Sequence, residues 1–329
     1  MGSTTGAAAR TAEHTVPLRA PAGRAYGLIA DVSRWPLLFA PCVWAEELDS
    51  DAAGGQRIRL WAVVGHEVRS WTSARTLDPD ALWIDFRQET PAPPLTAMSG
   101  YWRFGDRRLT LGHRWETGEA DPEQAERIAA ALDANSTVET AAVRTWAERA
   151  VPPRELMFTV EDRVRIAGPV EQVYDFLYRA DLWPQRVPHV AGLDLETAPA
   201  GPLTAGAEVQ TLDMVTAAPD GSRHTTQSVR LCFAGRRIVY KQTSPPRGLL
   251  AHSGEWLLAP APGAPGETVV IARHHGAVDP AAVAEVFGAG TDLPAARQRA
   301  GAALGGNSLR TLERARLLVE AGQGTVSPT

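Results

Sequence analysis

Two short strand-like segments carry the residue types best suited to bind a reactive oxygen. Residues two positions apart on a β-strand share one face of the sheet. In one segment the residues that share a face are Trp71, Ser73 and Arg75. A second segment repeats the pattern with Thr226, Ser228 and Arg230. A guanidinium stays charged when partly buried, and its planar set of N–H donors suits a carbonyl or enolate oxygen. If these faces turn inward, each cavity contains a serine and an arginine.

Histidines are the second group that could take part, because imidazole titrates nearest neutral pH and can accept or donate a proton. His113 and His274 lie on the predicted strands that lead into the last helix of each half, and we select both as candidate catalytic residues. His275 is the immediate neighbour of His274. The residues alone leave open which histidine acts and which half performs the chemistry.

The serine–arginine pair also has a purely structural interpretation. Arginine is common on exposed strand faces, where it forms surface salt bridges of little energetic value. The recurrence of the pair in both halves makes a functional role an equal alternative to this one.

The elements that must position these residues occur twice along the chain. Four residues recur 148 positions later: Pro21, Tyr26, Trp35 and Pro36 as Pro169, Tyr174, Trp183 and Pro184. Later matches keep the same order, among them Ser99-Gly100 with Ser253-Gly254 and Asn135-Ser136 with Asn307-Ser308. Repeats of this kind indicate a duplicated structural unit. We therefore predict two domains, residues 13–150 and 157–322, joined by a short stiff linker around Pro152-Pro153.

Each half has the same predicted α+β plan. A first strand (Thr15–Arg19, Thr159–Ile166) precedes two short helices, and the Trp-Pro pair is expected to end the second, because the residue before proline is disfavoured in the α region. Alternating segments then predict an antiparallel sheet. In the first half they are Val43–Leu48, Arg57–Val64, Val68–Leu77, Leu82–Gln88, Met98–Phe104 and Leu109–Glu116. A long helix closes each half, Glu123–Arg149 and Leu293–Ala321, and we expect the curved sheet to wrap around it.

Composition excludes several classes of function. The chain has 329 residues, 44% of them hydrophobic and 22% charged, which is typical of a folded globular protein. Its net charge is −5, and the sequence lacks the stripe of basic residues that nucleic acid binding requires. No apolar run is long enough to span a membrane and the N-terminus lacks a secretory signal, so we expect a cytoplasmic protein with no membrane partner. The sequence shows no metal-binding cluster, phosphate-binding loop or nucleophile-elbow serine, and we expect neither a metal nor a cofactor.

The order of these elements resembles the helix-grip superfamily, which includes START-type lipid carriers and birch-pollen-allergen-like proteins. Trp71-Thr72-Ser73-Ala74-Arg75 is similar to the Trp-x-Ser-x-Arg strand of bacterial aromatic polyketide aromatase/cyclases, and Trp35-Pro36-Leu37-Leu38-Phe39 fits the same family. Two tandem copies resemble its di-domain branch. This resemblance implies two helix-grip domains that act on a poly-β-ketone bound to an acyl carrier protein and reduced at one carbonyl. It also implies first-ring aldol closure, dehydration and aromatisation as the reaction.

The resemblance assigns roles to the candidate residues. Arg75 and Arg230 would orient carbonyl oxygens, Ser73 and Ser228 would hydrogen-bond beside them, and a histidine would move protons. Apolar walls would exclude water, and the residues expected to line the cavities are Trp61, Trp71, Trp83, Trp102, Cys42, Thr226, Tyr240 and Trp256. Cys42 stands where single-domain relatives can carry a pocket tyrosine, and Thr226 replaces the strand tryptophan of the first copy. The alternative function is a non-enzymatic carrier of a small apolar ligand or lipid, whose head group the same arginines would anchor.

Overall fold

The computed structural model describes residues 9–118, 122–217, 221 and 223–323. The contacts between these residues divide the chain into two compact units, with the boundary between Pro152 and Pro153. Among the described residues, no helix is both long and apolar enough to cross a membrane. Each unit is described by itself.

The N-terminal domain consists of a seven-stranded sheet and one long helix. Strand β1 (Arg10–Pro17) leads into helices α1 (Ala22–Ala30) and α2 (Trp35–Leu38), and α3 (Pro122–Ala147) ends the domain. The remaining strands are β2 (Cys42–Ser50), β3 (Gly55–Val64), β4 (Glu67–Asp78), β5 (Trp83–Gln88), β6 (Leu95–Gly105) and β7 (Arg108–Thr117). The first strand begins earlier and ends earlier than the predicted Thr15–Arg19.

The C-terminal domain repeats this plan after a single turn of helix, α4 (Pro153–Leu156). Strand β8 (Met157–Ile166) precedes α5 (Val170–Tyr178) and α6 (Trp183–Arg186), and a short α7 (Val283–Phe287) precedes the long α8 (Leu293–Gln323). The other strands are β9 (Val190–Ala198), β10 (Glu208–Ala217), β11 (Arg223–Phe233), β12 (Arg237–Ser244), β13 (Leu249–Pro260) and β14 (Thr268–Val278).

Both sheets are antiparallel and have the same topology. The strand order is β1-β7-β6-β5-β4-β3-β2 in the first domain and β8-β14-β13-β12-β11-β10-β9 in the second. Register shifts interrupt the pairing, for example at Gln227/Ser228 and Val215/Thr216, and such bulges bend a strand. Helix α3 packs against β1 and β7, and α8 packs against β8 and β14. The predicted α+β class and the long closing helices are confirmed.

The expectation that the Trp-Pro pair ends a helix is wrong. Trp35 has φ −56° and ψ −36°, Trp183 has φ −62° and ψ −37°, and both are the first residues of short helices, α2 and α6. Proline is tolerated in a first helical turn, because its missing N–H would have no intrahelical partner there. The tryptophans therefore begin a helix, and Trp183 packs in the core of the C-terminal domain.

Candidate active site

A cavity in the C-terminal domain lies between the sheet and α8. We call the sheet face that turns toward the long helix the inner face; in this domain it is marked by the hydrogen bond from Trp256 Nε1 to Ser308 Oγ on α8, 3.0 Å long. The cavity has a volume of about 130 Å³. Its walls include the strand residues Thr226, Ser228, Arg230, Tyr240, Gln242, His252, Trp256 and His274, and the helix residues Leu304, Asn307, Ser308 and Thr311.

Strand register brings the polar residues of this cavity into one row. Arg230 on β11 pairs with Tyr240 on β12, Tyr240 pairs with Gly254 on β13, and Gly254 pairs with His274 on β14. Directly paired residues share a face, so all three side chains point inward. Gly254 is required here, because a Cβ at this position would collide with the Tyr240 hydroxyl and with the Arg273 carbonyl. The glycine lets the tyrosine side chain cross its strand toward His274.

Arg230 is a buried cation with hydrogen-bonding capacity to spare. Its Nη2 donates to the carbonyl oxygen of Leu177 at the end of α5, at 2.7 Å, and its guanidinium carbon lies 5.3 Å from the centre of the Trp183 ring. Its Nε and Nη1 find no hydrogen-bond partner in the part of the chain that the structure describes. Among the described residues, no carboxylate forms a salt bridge with it. Burial lowers the pKa of Arg230 from its usual value. An unpaired buried charge is costly, and these two buried donors have no protein partner to offset that cost.

A second group of polar side chains forms a continuous hydrogen-bonded chain. Gln242 Oε1 lies 2.6 Å from His252 Nδ1, and His252 Nε2 lies 3.1 Å from His274 Nδ1. The Tyr240 hydroxyl lies 2.8 Å from the same His274 Nδ1. Among the described residues, His274 Nε2 is buried and has no hydrogen-bond partner. The chain therefore ends on one open nitrogen.

Burial sets the protonation states of this group. It lowers the pKa of His274 to about 4 and the pKa of His252 well below its usual value. It also raises the pKa of Tyr240. At neutral pH both imidazoles are therefore uncharged and the phenol is protonated. A neutral histidine can accept a proton, and a protonated phenol can donate one.

The N-terminal domain contains a related row. Arg75 pairs with Phe86, Phe86 with Gly100, and Gly100 with His113. Arg75 Nη2 donates to the carbonyl oxygens of Ile29 and Ala30, at 3.1 and 3.3 Å, and its Nε and Nη1 make no hydrogen bond. Burial lowers the pKa of Arg75 to about 10. Both arginines are therefore held by a carbonyl at the end of the helix that follows the first strand.

The two rows differ at the positions that surround the histidine. Phe86 stands where the C-terminal domain has Tyr240, so this row lacks the hydroxyl. Residue 98, the counterpart of His252, is a methionine with 5% of its surface exposed. His113 Nδ1 instead lies 3.1 Å from the hydroxyl of Ser136 on α3. Burial lowers the pKa of His113 to about 4.

The lining of the larger depression of the N-terminal domain includes residues of this row, Arg75, Phe86, Gly100 and His113, but side chains of the opposite sheet face also line it. The depression has a volume of about 720 Å³, and among the residues that line it are Thr76, Asp85 and Tyr101. Register places these side chains on the face opposite to Arg75, Phe86 and His113, since alternate residues of a strand point to opposite faces. The smaller cavity of the C-terminal domain is therefore the better candidate site, because it lies between the sheet and α8 and is lined by the polar row.

The structure brings most of the predicted site residues together. In the C-terminal domain, one cavity is lined by all six: Ser228, Arg230, His274, Thr226, Tyr240 and Trp256. In the N-terminal domain, the inner face carries Cys42, Trp71, Ser73, Arg75, Trp102 and His113. The interpretation of the serine–arginine pairs as a surface salt bridge is wrong, because Arg75 and Arg230 are 4% and 2% exposed.

Two of the predicted wall residues do not face this interior. Trp61 pairs with Ser70, one residue away from Trp71, so its side chain lies on the outer face. Trp83 pairs with Arg103 on the outer face and stacks on Tyr101, with ring centres 4.5 Å apart. The prediction for both tryptophans is wrong, because the residue type alone does not reveal which face of the sheet a strand residue occupies.

The predicted site did not include two cavity residues, His252 and Gln242. A signal for His252 was present, since it precedes Trp256 by four positions and so shares its face. Gln242 follows Tyr240 by two positions and could have been found in the same way. His275, by contrast, points outward, where its Nδ1 lies 2.9 Å from the Thr159 hydroxyl.

Comparison with known proteins identifies the class. A family described as "Polyketide cyclase / dehydrase and lipid transport" matches residues 157–315, and a second family of the same description matches residues 18–142. Two curated relatives from Streptomyces match 92% of the chain. The actinorhodin polyketide synthase bifunctional cyclase/dehydratase of Streptomyces coelicolor is 44% identical over 94% of its length. The granaticin counterpart of Streptomyces violaceoruber is 40% identical over 92% of its length.

Solved structures agree over the whole fold. The crystal structure of the di-domain ARO/CYC BexL from the BE-7585A biosynthetic pathway has a TM-score of 0.77 and 38% identity, covering 97% of this chain and all of that one. The di-domain ARO/CYC StfQ from the steffimycin pathway has a TM-score of 0.72 and 33% identity, covering 95% of this chain and all of that one. Fold and site thus define a tandem helix-grip enzyme. The chain belongs to the polyketide cyclase/dehydrase family, in its di-domain aromatase/cyclase form.

Proposed function

We propose that the C-terminal domain catalyses the aldol closure and dehydration that form the first aromatic ring of a poly-β-ketone. The substrate would be bound to an acyl carrier protein and already reduced at one carbonyl. One observation carries the proposal: the Arg230 guanidinium, which has no carboxylate partner among the described residues, and the neutral imidazole of His274 line the same cavity, each with an unused polar atom. The first can stabilise an oxyanion and the second can take a proton.

Ring closure begins at a methylene group between two carbonyls, whose C–H bond is acidic. His274 Nε2 accepts this proton, and the electron pair of the C–H bond moves into the enolate. Arg230 Nε and Nη1 donate to the enolate oxygen, and Ser228, two residues before it on the same strand face, hydrogen-bonds beside them. Such a preorganised donor contributes about 2.7–4 kcal/mol of transition-state stabilisation. General acid–base catalysis by a positioned side chain contributes about 10²–10⁴-fold.

The enolate carbon then attacks a second carbonyl carbon of the same chain. The new C–C bond closes the ring, and the attacked carbonyl becomes an alkoxide that takes the proton back from His274. In the dehydration, His274 accepts a second proton from the neighbouring carbon, and the hydroxyl leaves as water after receiving a proton from Tyr240. Protonated His274 passes its Nδ1 proton to the Tyr240 phenolate across the 2.8 Å contact. Exchange of one proton with solvent, off Nε2 and onto Nδ1, then returns the imidazole to its starting form. No proton is gained or lost in the cycle beyond those of the water.

The size of the cavity supports a role in choosing the ring-closing carbons. Pockets for drug-sized ligands have volumes of about 300–1,000 Å³, whereas this cavity has about 130 Å³. It therefore accommodates the reacting segment of the chain rather than the whole chain. Trp183 and Trp256, whose rings meet edge to face at 5.9 Å, supply apolar walls on the side of the Arg230 guanidinium.

The test uses a minimal polyketide synthase and a ketoreductase reconstituted with and without this protein. Addition of the wild-type chain is expected to shift the products toward compounds with an aromatised first ring. Arg230→Met is expected to abolish most of this shift, while Arg236→Met, an exposed arginine of the same domain, is expected to preserve it. A product ratio that does not change when the wild-type protein is added would contradict the proposal and would instead favour a ligand carrier.

A further inference from the structure

We propose that Gln242 and His252 fix the tautomer of His274, a residue that lines the cavity, so that its Nε2 carries an unprotonated lone pair. This inference deepens the proposed function and rests on it for its catalytic meaning. Neither residue touches the proposed reacting atoms, so both are positioning residues. The device is a chain of three side chains from three neighbouring strands, β12, β13 and β14.

The assignment follows from what each atom in the chain can do. Gln242 faces His252 with its amide oxygen, which can only accept a hydrogen bond. His252 Nδ1 must therefore carry the proton. A neutral imidazole has a single N–H, so His252 Nε2 is left as an acceptor. Its partner, His274 Nδ1, must then be the donor, and His274 Nε2 carries no proton.

The Tyr240 hydroxyl completes the arrangement. It lies 2.8 Å from His274 Nδ1, the nitrogen that already carries a proton. The phenol oxygen can share that proton as an acceptor, which leaves its own O–H free to turn toward the cavity. The same tautomer that makes His274 a proton acceptor thus makes Tyr240 a proton donor, which matches the two steps of closure and water loss.

The N-terminal domain reaches the same tautomer by a different route. The Ser136 hydroxyl donates to the Leu132 carbonyl oxygen at 2.7 Å, so it faces His113 Nδ1 with a lone pair. His113 Nδ1 then carries the proton and His113 Nε2 does not. In both halves, therefore, the side chain that accepts a hydrogen bond from the histidine Nδ1 leaves the histidine Nε2 unprotonated. This agreement between two different partners supports the assignment for His274.

The direct test is the tautomer itself, observed by two-bond ¹H–¹⁵N correlation NMR of the full chain labelled with ¹⁵N-histidine at pH 7. Signals are assigned with single histidine variants. The expected result is an Nδ1-protonated form for both His274 and His252. Detection of His274 in the Nε2-protonated form, or as an even mixture, would overturn the proposal.

Variants connect the tautomer to the rate. His252→Met installs the residue that the N-terminal domain has at this position, and Gln242→Met removes the acceptor. Each is expected to produce mixed tautomers of His274 and to lower the rate of ring aromatisation about 10–100-fold, the usual effect of losing an orienting partner. His275→Gln, on the outer face next to His274, is the control and is expected to keep both readouts. An unchanged His274 tautomer in His252→Met would refute the proposal that His252 fixes this tautomer.

The two readouts separate this inference from the proposed function. The NMR measurement uses the protein without substrate. The expected tautomers therefore support the positioning role of Gln242 and His252 even if the wild-type protein leaves the polyketide products unchanged. Conversely, a product shift by the wild-type protein together with an Nε2-protonated His274 would overturn both the positioning role of His252 and Gln242 and the role of His274 Nε2 as proton acceptor, while the cyclisation activity itself would stand.

Discussion

Replacement of Arg230 by methionine should separate stability from activity. The substitution keeps most of the volume of the side chain and removes a charge that, among the described residues, has no carboxylate partner. For the equivalent Arg75, the fall of the pKa to about 10 means that burial disfavours the charged form by about 3 kcal/mol. Arg230 is shifted in the same direction by burial. Removal of either charge therefore relieves a substantial cost.

The stabilising interactions that the substitution of Arg230 removes are of similar size to this gain. A hydrogen bond from a charged donor to a carbonyl contributes about 1.5–3 kcal/mol, and a desolvated cation–π contact with Trp183 contributes about 2 kcal/mol. The gain and the losses nearly cancel, so the free energy of unfolding of Arg230→Met should lie within about 2 kcal/mol of the wild type. Loss of an oxyanion donor, in contrast, should lower the rate of first-ring formation about 10²–10³-fold.

The assay combines urea unfolding with the reconstituted synthase, at limiting concentrations of this protein. Arg75→Met is the matched variant in the N-terminal domain and should retain most of the activity. A folded Arg230→Met protein whose rate stays within threefold of the wild type would refute the oxyanion role. Equal losses in Arg230→Met and Arg75→Met would refute the assignment of the reaction to the C-terminal domain alone.

Three further outcomes are expected. The folded-state pKa values of His113 and His274 are about 4, whereas the unfolded value is near 6.5. Between pH 4 and pH 6.5 the unfolded chain therefore binds more protons than the folded chain. Stability should fall as the pH decreases through this window, by about 2 kcal/mol per histidine at pH 5. His274→Gln should remove about 2 kcal/mol of the total loss in urea titrations at pH 7 and 5, a loss to which His252 also contributes. Tyr240→Phe, which installs the equivalent of Phe86, should leave the thermal midpoint nearly unchanged but slow dehydration about 10–100-fold, so that the unaromatised aldol accumulates in chromatograms. Gly254→Ala should destabilise the domain by about 1–3 kcal/mol, because its Cβ would collide with the Tyr240 hydroxyl, and a wild-type melting temperature would show that the tyrosine does not cross the strand at this point.

The duplication explains how the two halves could diverge in chemistry while keeping one fold. In each half the arginine is tied to a carbonyl at the end of α1 or α5 and packs on the tryptophan that begins α2 or α6. These contacts stabilise the fold as well as the site. The residues around the histidine are not needed for that packing, and they are the ones that differ.

Much of the candidate site could be predicted from the sequence. The offset of 148 positions identified the repeat, and the alternation of strand residues correctly placed Ser228 and Arg230 on one face. Alternation failed for Trp61 and Trp83, because it gives the relative face of residues within one strand only. Whether that face is inner or outer depends on the pairing with strands many residues away, and a shift of one residue reverses it.

The histidines show the same division. His274 and His275 are adjacent, so the sequence by itself determined that one points inward and the other outward. Only the pairing of Gly254 with His274 decided which one reaches the cavity. The contact between His252 and His274 was likewise a product of the tertiary structure, since 22 residues separate them along the chain. The sequence determined the repeat, the strand periodicity and the residue types, whereas hydrogen bonding between strands decided which side chains meet, because that pairing is non-local.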